Sequence, residues 1–339
     1  MNFNNYIGID ISKGKLDLAV LNQEGELILY QCLNDKKSII KCLGKVFKES
    51  NLSKEDTLII AESSGHYINP LIWSIISENY LLWIEDGYQI ANSQGIRRGK
   101  NDEKDAEMIA IYGKRFSDRC QLVKASSECI ENLAYLNSER ELLTKEMVKF
   151  DQQLTDHKKY VKPSFYLSRK KRYTELIANL KTHISEIEQE MEKLIENEPK
   201  LSHYAKLLRS IPGIGKQVSI ATIIATKGFT KFTDPRKFAC HVGVVPFEYK
   251  SGSSIRSAHK ISQRANKKMK SLFHLASLVV IQLEGEFKEY YLRKQKEGKN
   301  KMSIINAIRG KLIHRAFAVI KRNEPYTKEF KPSFQNCTN

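Results

Sequence analysis

Apolar and polar residues alternate through the first 33 residues in a way that predicts three β-strands. The strand patterns are YIGIDI, KLDLAVL and ELILYQCL, separated by a Ser-Lys-Gly turn and by a turn at Glu24–Gly25. Short strands divided by turn residues are typical of an antiparallel meander. A stripe of apolar residues at three- and four-residue steps then predicts a helix from Asp35 to Glu49.

The pattern then changes to one of alternating strands and helices. TLIIAES (57–63) is almost continuously apolar, as in a strand buried on both faces. A helical stretch near 67–79, a strand LLWIED (81–86) and two more helical stretches before Asp118 follow. The order βββαβαβα, a meander extended by parallel strands through helical crossovers, is that of a ribonuclease H-like (RuvC-like) fold. We therefore predict an α/β domain over residues 1–120.

Residues 121–200 have a different periodicity, which predicts two long amphipathic helices. Pro163 and the basic cluster 169–172 lie between the two apolar stripes and predict a basic turn that joins them. Such a helical hairpin or coiled coil either packs within the chain or serves as an arm for self-association, and the balanced charge and few aromatic residues slightly favour the arm. The pattern of residues 201–325 predicts a mainly helical domain. Residues 326–339 are predicted to form a frayed tail.

Charge is distributed unevenly over these regions. The chain has 339 residues with 56 Lys and Arg against 39 Asp and Glu, a net charge of +17. Residues 1–118 have a net charge of −3, residues 119–200 of +1 and residues 201–339 of +19. The basic excess indicates a polyanionic partner, and the slightly acidic first region suits cation binding.

Composition also excludes several classes of protein. Hydrophobic residues at 41% exclude wholesale disorder, and no apolar run has the length of a membrane span. The N-terminus lacks the pattern of a secretion signal, and the six cysteines form no C-x-x-C pair. We expect a cytoplasmic protein with reduced cysteines and no membrane partner.

Four acidic residues occur where the predicted domain would need them for metal chemistry. Asp10 ends the first strand pattern, and Glu62 ends the strand TLIIAES, at the edge where ligands of open α/β sheets collect. Asp102 and Asp105 are three residues apart at the start of a helix and therefore share one face. Each acid alone has a structural explanation, such as a strand end, a helix cap or a solvated loop position. Their joint placement favours a site for two Mg²⁺ ions, with Mn²⁺ as an alternative, because hard oxygen ligands without His or Cys suit these ions.

The basic part of the chain contains three further motifs. LRSIPGIGK (208–216) followed by an apolar helical stretch predicts a helix-hairpin-helix, whose glycines would let backbone amides approach a phosphate; a turn between core helices is the alternative. VGVVP (242–246) and YKSGSSIR (249–256) precede a basic stretch, KISQRANKKMK, which we predict to be helical. We predict that nucleic acid contacts Arg97, Arg98, Lys100, Gly213, Gly215, Lys216, Lys250, Arg256, Lys260, Arg264, Lys267, Lys268 and Lys270.

These motifs together resemble the DEDD transposases of bacterial insertion sequences, insertion-sequence family one-ten. The four acids of that family match Asp10 in GIDIS, Glu62 in ESSGHY, and Asp102 and Asp105 in KNDEKDAEMIA. The family's catalytic serine matches Ser251 in KSGSSIR, with Ser253 and Ser254 as nearby alternatives. The resemblance covers roughly residues 5–320.

The resemblance implies a recombinase that cuts and rejoins DNA at element ends and target, guided by a structured bridge RNA. It also implies a homo-oligomer, a dimer or tetramer, in which the RuvC-like domain of one subunit meets the transposase domain of another. Ser251 would form a covalent phosphoserine link to DNA, and metal-bound acids would activate its hydroxyl.

Three other classes of protein share part of this pattern. A structure-selective DNA endonuclease of the Holliday-junction resolvase type would use the four acids and water, without a serine intermediate. A sugar-kinase or actin-like ATPase would need later Gly-rich phosphate loops that the sequence lacks. A non-catalytic RNA-binding protein would need only the basic part of the chain.

Overall fold

A computed structural model describes residues 3–22, 24–93, 102–123, 127–245, 250–251, 255–256 and 265–327. The chain divides into two units, Met1–Ala125 and Ser126–Asn339, and each is described by itself. The first unit is built on a mixed sheet, and the helices described in the second unit are accompanied by one short hairpin.

The sheet of the first unit has five strands in the order β3-β2-β1-β4-β5. Strands β1, β2 and β3 form an antiparallel meander, whereas β4 pairs parallel to β1 and β5 parallel to β4. The predicted meander and its parallel extension are therefore confirmed. The strands are β1 (Asn5–Ile11), β2 (Lys15–Leu21), β3 (Leu27–Leu33), β4 (Thr57–Glu62) and β5 (Leu81–Glu85).

Helices cover both faces of this sheet. Ile7 and Ile9 of β1 belong to the apolar cluster that includes the first two helices, whereas Tyr6 belongs to the cluster that includes the fourth helix. Side chains of a strand alternate between faces, so Gly8 and Asp10 lie on the same face as Tyr6. The helices are α1 (Lys36–Glu49), α2 (Asn69–Glu78), α3 (Gly87–Asn92) and α4 (Asp102–Arg115), with short 3₁₀ turns at Gly65–Ile68 and Ser117–Arg119.

Helix α4 lies unusually close to strand β1 because a glycine occupies the crossing point. A Cβ atom at Gly8 would lie 2.1 Å from the carbonyl oxygen of Ala106 and 2.3 Å from the amide nitrogen of Ala110. Such distances are far below van der Waals contact, so only glycine allows this approach. The close packing determines where the first turn of α4 lies over the sheet.

The second unit begins with two long helices joined by a short connection at 158–162. Helices α5 (Glu128–His157) and α6 (Pro163–Asn197) pack against each other, and Arg140 Nε donates to Glu188 Oε1 at 2.6 Å between them. The predicted position of the basic cluster 169–172 was wrong: it lies inside α6 and not in the connection. Pro163 starts the helix, because proline fits the first helical turn, where its missing N–H has no intrahelical partner.

The remaining helices of this unit enclose an apolar core with Phe238, Phe273 and Phe317 at its centre. Among the described residues, no helix is both long enough and apolar enough to span a membrane. The elements are α7 (Pro199–Arg209), α8 (Lys216–Thr226), α9 (Pro235–Val242), β6 (Lys250–Ser251), β7 (Ile255–Arg256), α10 (Lys267–Val280), α11 (Glu286–Lys296) and α12 (Lys301–Arg322).

Candidate active site

Three acidic side chains leave the sheet on the face that α4 covers. Asp10 pairs directly opposite Asp17 in the antiparallel register of β1 and β2, so both side chains are on the same face. In β4, Leu58 and Ile60 pack in the apolar cluster of α4, and Glu62 follows in the same alternation. Strand geometry therefore brings Asp10, Asp17 and Glu62 to one side of the sheet.

The first turn of α4 adds the other two acids. Asp102 begins the helix and Asp105 follows three residues later. Carboxylate oxygens of Asp10, Asp17 and Asp102 all lie within 4.8 Å of one another. Two of the predicted acids and one unpredicted acid thus form a cluster whose oxygen atoms are close enough to share a cation.

The electrostatic environment of Asp10 connects this cluster to the other predicted acids. Burial, followed by the negative charges of Asp105, Asp102, Glu62 and Asp17 in that order, raises the pKa of Asp10 to about 6. Desolvation and nearby like charges both disfavour an ionised carboxyl group. The structure therefore brings all four predicted acids within electrostatic reach at Asp10.

Asp17 was not among the residues predicted from the sequence. It is 3% exposed, and Gln31 Nε2 donates a hydrogen bond of 2.6 Å to its Oδ1. Two carboxylates directly opposite each other in an antiparallel pair repel each other. The register of β1 and β2 places Asp17 opposite Asp10, and this unfavourable pair is the signal that could have identified Asp17 as a site residue. That register follows from the Ser-Lys-Gly turn between the two strands.

Lys15 was also missed, and it partly neutralises the cluster. Its Nζ lies 3.1 Å from Asp17 Oδ2 and 3.1 Å from Asp102 Oδ2. Hydrogen bonds to these two carboxylates raise the pKa of Lys15. One ammonium group between two carboxylates shows that this geometry accepts a cation.

Glu62 is held against the backbone that follows β5. A Cβ atom at Gly87 would lie 2.0 Å from Glu62 Oε1, so the absence of a side chain there provides the space for this carboxylate. The amide of Ser63 donates to the carbonyl oxygen of Glu85 at 2.9 Å, which holds the end of β4 beside β5. Oxygen-only donors with a raised pKa at their centre fit a hard divalent cation such as Mg²⁺.

The predicted nucleophile lies in the second unit, on the short hairpin. Ser251 of β6 pairs with Ile255 of β7, and Lys250 pairs with Arg256. For these four residues the structure describes the backbone pairing alone. The other predicted residues of this region and of the loop before α4 lie outside the described residues, namely Ser253, Ser254, Lys260, Arg264, Arg97, Arg98 and Lys100.

The glycine motif joins α7 and α8 by a turn, and its two glycines have different environments. Gly213 has a φ of +84°, and a Cβ atom there would lie 2.8 Å from the carbonyl oxygen of Ala276 in α10. Its observed role is close packing against α10. Gly215 and Lys216 are exposed at the start of α8. Contact of this turn with nucleic acid stays a prediction.

Helix α10 begins later than the basic pattern predicts. The side chain of Asn266 accepts a hydrogen bond of 3.0 Å from the amide of Met269 and so caps a helix that begins at Lys267. Lys267 is exposed, and Lys268 forms an ion pair of 2.5 Å with Glu141 of α5. Lys268 would have to leave Glu141 before it could contact a phosphate.

Comparison with known proteins identifies the class as transposase. Residues 7–163 match a family model described as "Transposase" and named for the DEDD transposases of IS110, and residues 205–292 match the "Transposase IS116/IS110/IS902 family". Together these matches span more than two thirds of the chain. The chain belongs to the IS110 family of transposases.

The relatives cover nearly the whole chain. A "Pilin gene-inverting protein" of Moraxella bovis is 28% identical over 331 residues, covering 95% of this chain and 98% of the relative. An insertion element IS116 protein of 44.8 kDa from Streptomyces clavuligerus, described as uncharacterized, is 19% identical and covers 86% of this chain and 88% of its own. The RuvC structure of Thermus thermophilus aligns with a TM-score of 0.26 and 11% identity, over 35% of this chain and 99% of that chain.

Proposed function

We propose that this transposase is a recombinase that cuts and rejoins DNA at the ends of an insertion sequence and at its target, with a divalent cation at the acidic cluster. The observation that carries the proposal is the gathering of Asp102, Asp105, Glu62 and Asp17 around Asp10. So many carboxylates repel one another, and a bound cation removes that cost.

We assign the metal ligands to the four predicted acids, Asp10, Glu62, Asp102 and Asp105. Asp17 joins them as a fifth carboxylate, because its oxygen lies within 4.8 Å of those of Asp10 and Asp102. Mg²⁺ bound there would act as a Lewis acid on a phosphoryl oxygen. The contribution of the chain is to hold the carboxylates in place through the β1–β2 register and the contact of α4 with Gly8.

Ser251 is the proposed nucleophile. Its Oγ would attack a DNA phosphorus, lose its proton to a base and form a phosphoserine ester while one deoxyribose oxygen leaves. Reversal of that step onto another deoxyribose hydroxyl would rejoin the strands without a net loss of phosphodiester bonds. The name of the Moraxella relative refers to gene inversion, a process that requires rejoining, and this supports exchange of strands over hydrolysis.

Three further parts of the proposal rest on the resemblance to the family. The first unit would have the ribonuclease H-like fold, which agrees with its sheet order. A bridge RNA would direct the choice of DNA, and the chains would assemble as a homo-oligomer. The paired helices α5 and α6 would provide the self-association arm of domain 121–200, with Tyr160, Phe165 and Leu167 exposed near their connection. The basic domain 201–325 would bind the nucleic acid.

The test combines metal binding with the trapping of a covalent adduct. Full-length protein is incubated with Mg²⁺ and DNA that carries the ends of its element, and the products are separated under denaturing conditions. We expect a protein–DNA adduct that Ser251→Ala and Asp10→Asn both abolish, whereas Glu24→Gln, an exposed acid in the β2–β3 turn, leaves it unchanged. Mn²⁺ binding, measured separately, should be lost in Asp10→Asn and kept in Ser251→Ala.

Three results would each contradict part of this proposal. Cleavage by Ser251→Ala at the rate of the unmodified protein, with no adduct, would indicate a hydrolytic endonuclease of the resolvase type. An adduct that Ser253→Ala or Ser254→Ala abolishes, and that Ser251→Ala leaves intact, would reassign the nucleophile within the same loop. Unchanged Mn²⁺ affinity in Asp10→Asn would show that the carboxylate cluster is not the metal site.

A further inference from the structure

A buried arginine in the second unit has no carboxylate partner among the residues that the structure describes. Arg309 of α12 is 5% exposed. Its Nη2 lies 2.7 Å from His274 Nδ1, and its Nη1 lies 3.4 Å from Asn306 Oδ1. Its Nε is buried without a hydrogen-bond partner in the part of the chain that the structure describes.

Arg209 of the same unit shows the usual arrangement of a partly buried arginine. Arg209 donates to both carboxylate oxygens of Glu192, at 2.8 Å and 2.7 Å, although it is more exposed than Arg309. A buried guanidinium normally requires such a partner, because removing its charge from water is unfavourable. Arg309 has two neutral partners instead. Of the described groups that contact Arg309, none compensates its positive charge.

Two more basic groups lie beside Arg309 on the neighbouring helix. Lys270 and His274 are four residues apart on α10 and thus on one face, which packs against α12. Burial, followed by the positive charge of Arg309, lowers the pKa of both side chains. Both are only partly buried, so the cluster is open to a ligand.

The hydrogen bond between Arg309 and His274 determines which ring nitrogen of His274 carries the proton and can donate to a ligand. A guanidinium can only donate, so Nδ1 of His274 is the acceptor and the proton of the neutral ring is on Nε2. His274 Nε2–H and Lys270 Nζ are then both donors, and they lie beside the buried positive charge of Arg309. A set of donors with an excess of positive charge suits a tetrahedral oxyanion.

We propose that Lys270, His274 and Arg309 form a binding site for one phosphate group, supplied by the backbone of the bound nucleic acid. The assignment of nucleic acid as the source rests on the proposed function. Asn306 connects this site to the nucleophile hairpin, because its Nδ2 donates to the carbonyl oxygen of Val244 at 2.7 Å, at the start of the segment that leads to β6. A phosphate held here would lie beside the base of the segment that contains Ser251.

The first experiment uses inorganic phosphate and the full-length protein, with EDTA present so that the acidic cluster binds no metal. Phosphate affinity is measured by calorimetry at constant ionic strength, with chloride as the balancing anion. We expect Lys270→Gln and Arg309→Met to weaken phosphate binding by about tenfold or more, since each removes a positive charge from the site. Lys301→Gln, an exposed lysine at the start of α12, makes the same change of charge and should keep the affinity of the unmodified protein.

If Arg309→Met does not fold, Lys270→Gln decides the matter, because its side chain is not part of the apolar core. Equal phosphate affinity in Lys270→Gln and Lys301→Gln would overturn the proposed site.

The second experiment tests the source of the phosphate. Affinity for a short DNA duplex is measured against salt concentration, and Lys270→Gln should reduce the slope of log K against log salt by about 0.9 relative to Lys301→Gln. If Lys270→Gln weakens phosphate binding but has the same salt slope for DNA as Lys301→Gln, nucleic acid is not the source of the phosphate. Failure of the adduct test with these phosphate results intact would contradict the recombinase and leave the anion site standing.

Discussion

The acids of the first unit converge on one point, whereas the bases of the second unit are distributed over several helices. Asp10, Asp17 and Asp102 have carboxylate oxygens within 4.8 Å of one another, although residues 1–118 have a net charge of only −3. Residues 201–339 have a net charge of +19, and yet Arg209, Lys268 and Arg315 each pair with a glutamate. Net charge therefore says little about where an uncompensated charge is placed.

The difference lies in what positions each set of charges. Strand register and a glycine contact bring the carboxylates together despite their repulsion, so the fold itself supplies the energy for their approach. Among the described residues of the second unit, most basic side chains reach solvent or an acid, and Arg309 is an exception. At both proposed sites, the acidic cluster around Asp10 and the basic cluster around Arg309, the backbone holds charges of one sign close together. This distinguishes the two sites from the charged surface in general.

The largest expected effect comes from separating α4 from the sheet with one methyl group. Gly8→Ala places a Cβ 2.1 Å from the carbonyl oxygen of Ala106, and neither backbone can move without displacing the helix. We expect a loss of about 3 kcal/mol or more in the free energy of unfolding of the first unit. Tryptophan fluorescence during urea unfolding measures this unit alone, because both tryptophans, Trp73 and Trp83, belong to it.

Gly14→Ala is the matched control for this prediction. Gly14 lies in the β1–β2 turn, and a Cβ there meets no atom within 4 Å. Its effect should stay within about 0.5 kcal/mol, as at other surface positions. Equal effects of the two substitutions would show that the contact between α4 and β1 does not hold the acids in place.

A smaller effect is expected from the repulsion itself, measured as a function of pH in EDTA. Asp10 has a pKa of about 6 in the folded protein against an ordinary value of 3.8, so the folded state holds the proton more tightly than the unfolded state. Its contribution to stability is therefore complete below about pH 4 and is lost as the pH rises through 6. Asp10→Asn, which cannot ionise, avoids that loss.

We expect Asp10→Asn to be more stable than the unmodified protein by about 1 to 2 kcal/mol at pH 7.5 and equally stable near pH 4. One pKa unit corresponds to about 1.4 kcal/mol, and the value is reduced here because the carboxyl group is only half-buried. Asp118→Asn, at an exposed acid, should follow the pH profile of the unmodified protein. A constant difference between Asp10→Asn and the unmodified protein across this range would mean that Asp10 is not electrostatically strained.

Much of the first unit follows from its residue pattern. Alternation and turn residues predict β1 to β3, and continuous apolarity predicts β4, because burial on one or both faces of a sheet leaves those signatures. Asp10 and Glu62 could be found at the ends of these strands for the same reason. Asp17 required the pairing register, since its neighbours Leu16 and Leu18 make it resemble an ordinary solvent-facing position of a strand.

In the second unit, the sequence pattern was misleading at positions where a local signal and the packing of the helices favour different structures. The basic run at 169–172 suggests a turn, but Pro163 starts α6 before it and the run continues the helix. Gly213 resembles a phosphate-binding glycine, but its Cβ position is filled by the backbone of α10, which no local pattern reveals. Arg309 lies within an apolar helix pattern and becomes a candidate only when its partners in space are known.

The smallest expected effect concerns Lys15, the one described cation inside the acidic cluster. Its Nζ lies 3.1 Å from both Asp17 and Asp102, so it competes with a metal ion for these oxygens. The lysine side chain is 39% exposed, so solvent screens both ion pairs and weakens their effect. Lys15→Met should therefore raise Mn²⁺ affinity about two- to fivefold, while Lys13→Met, at an exposed lysine in the same turn, should leave it unchanged. A decrease in Lys15→Met would instead mean that the ammonium group orders the carboxylates for the metal, because loss of a mere competitor can only strengthen cation binding.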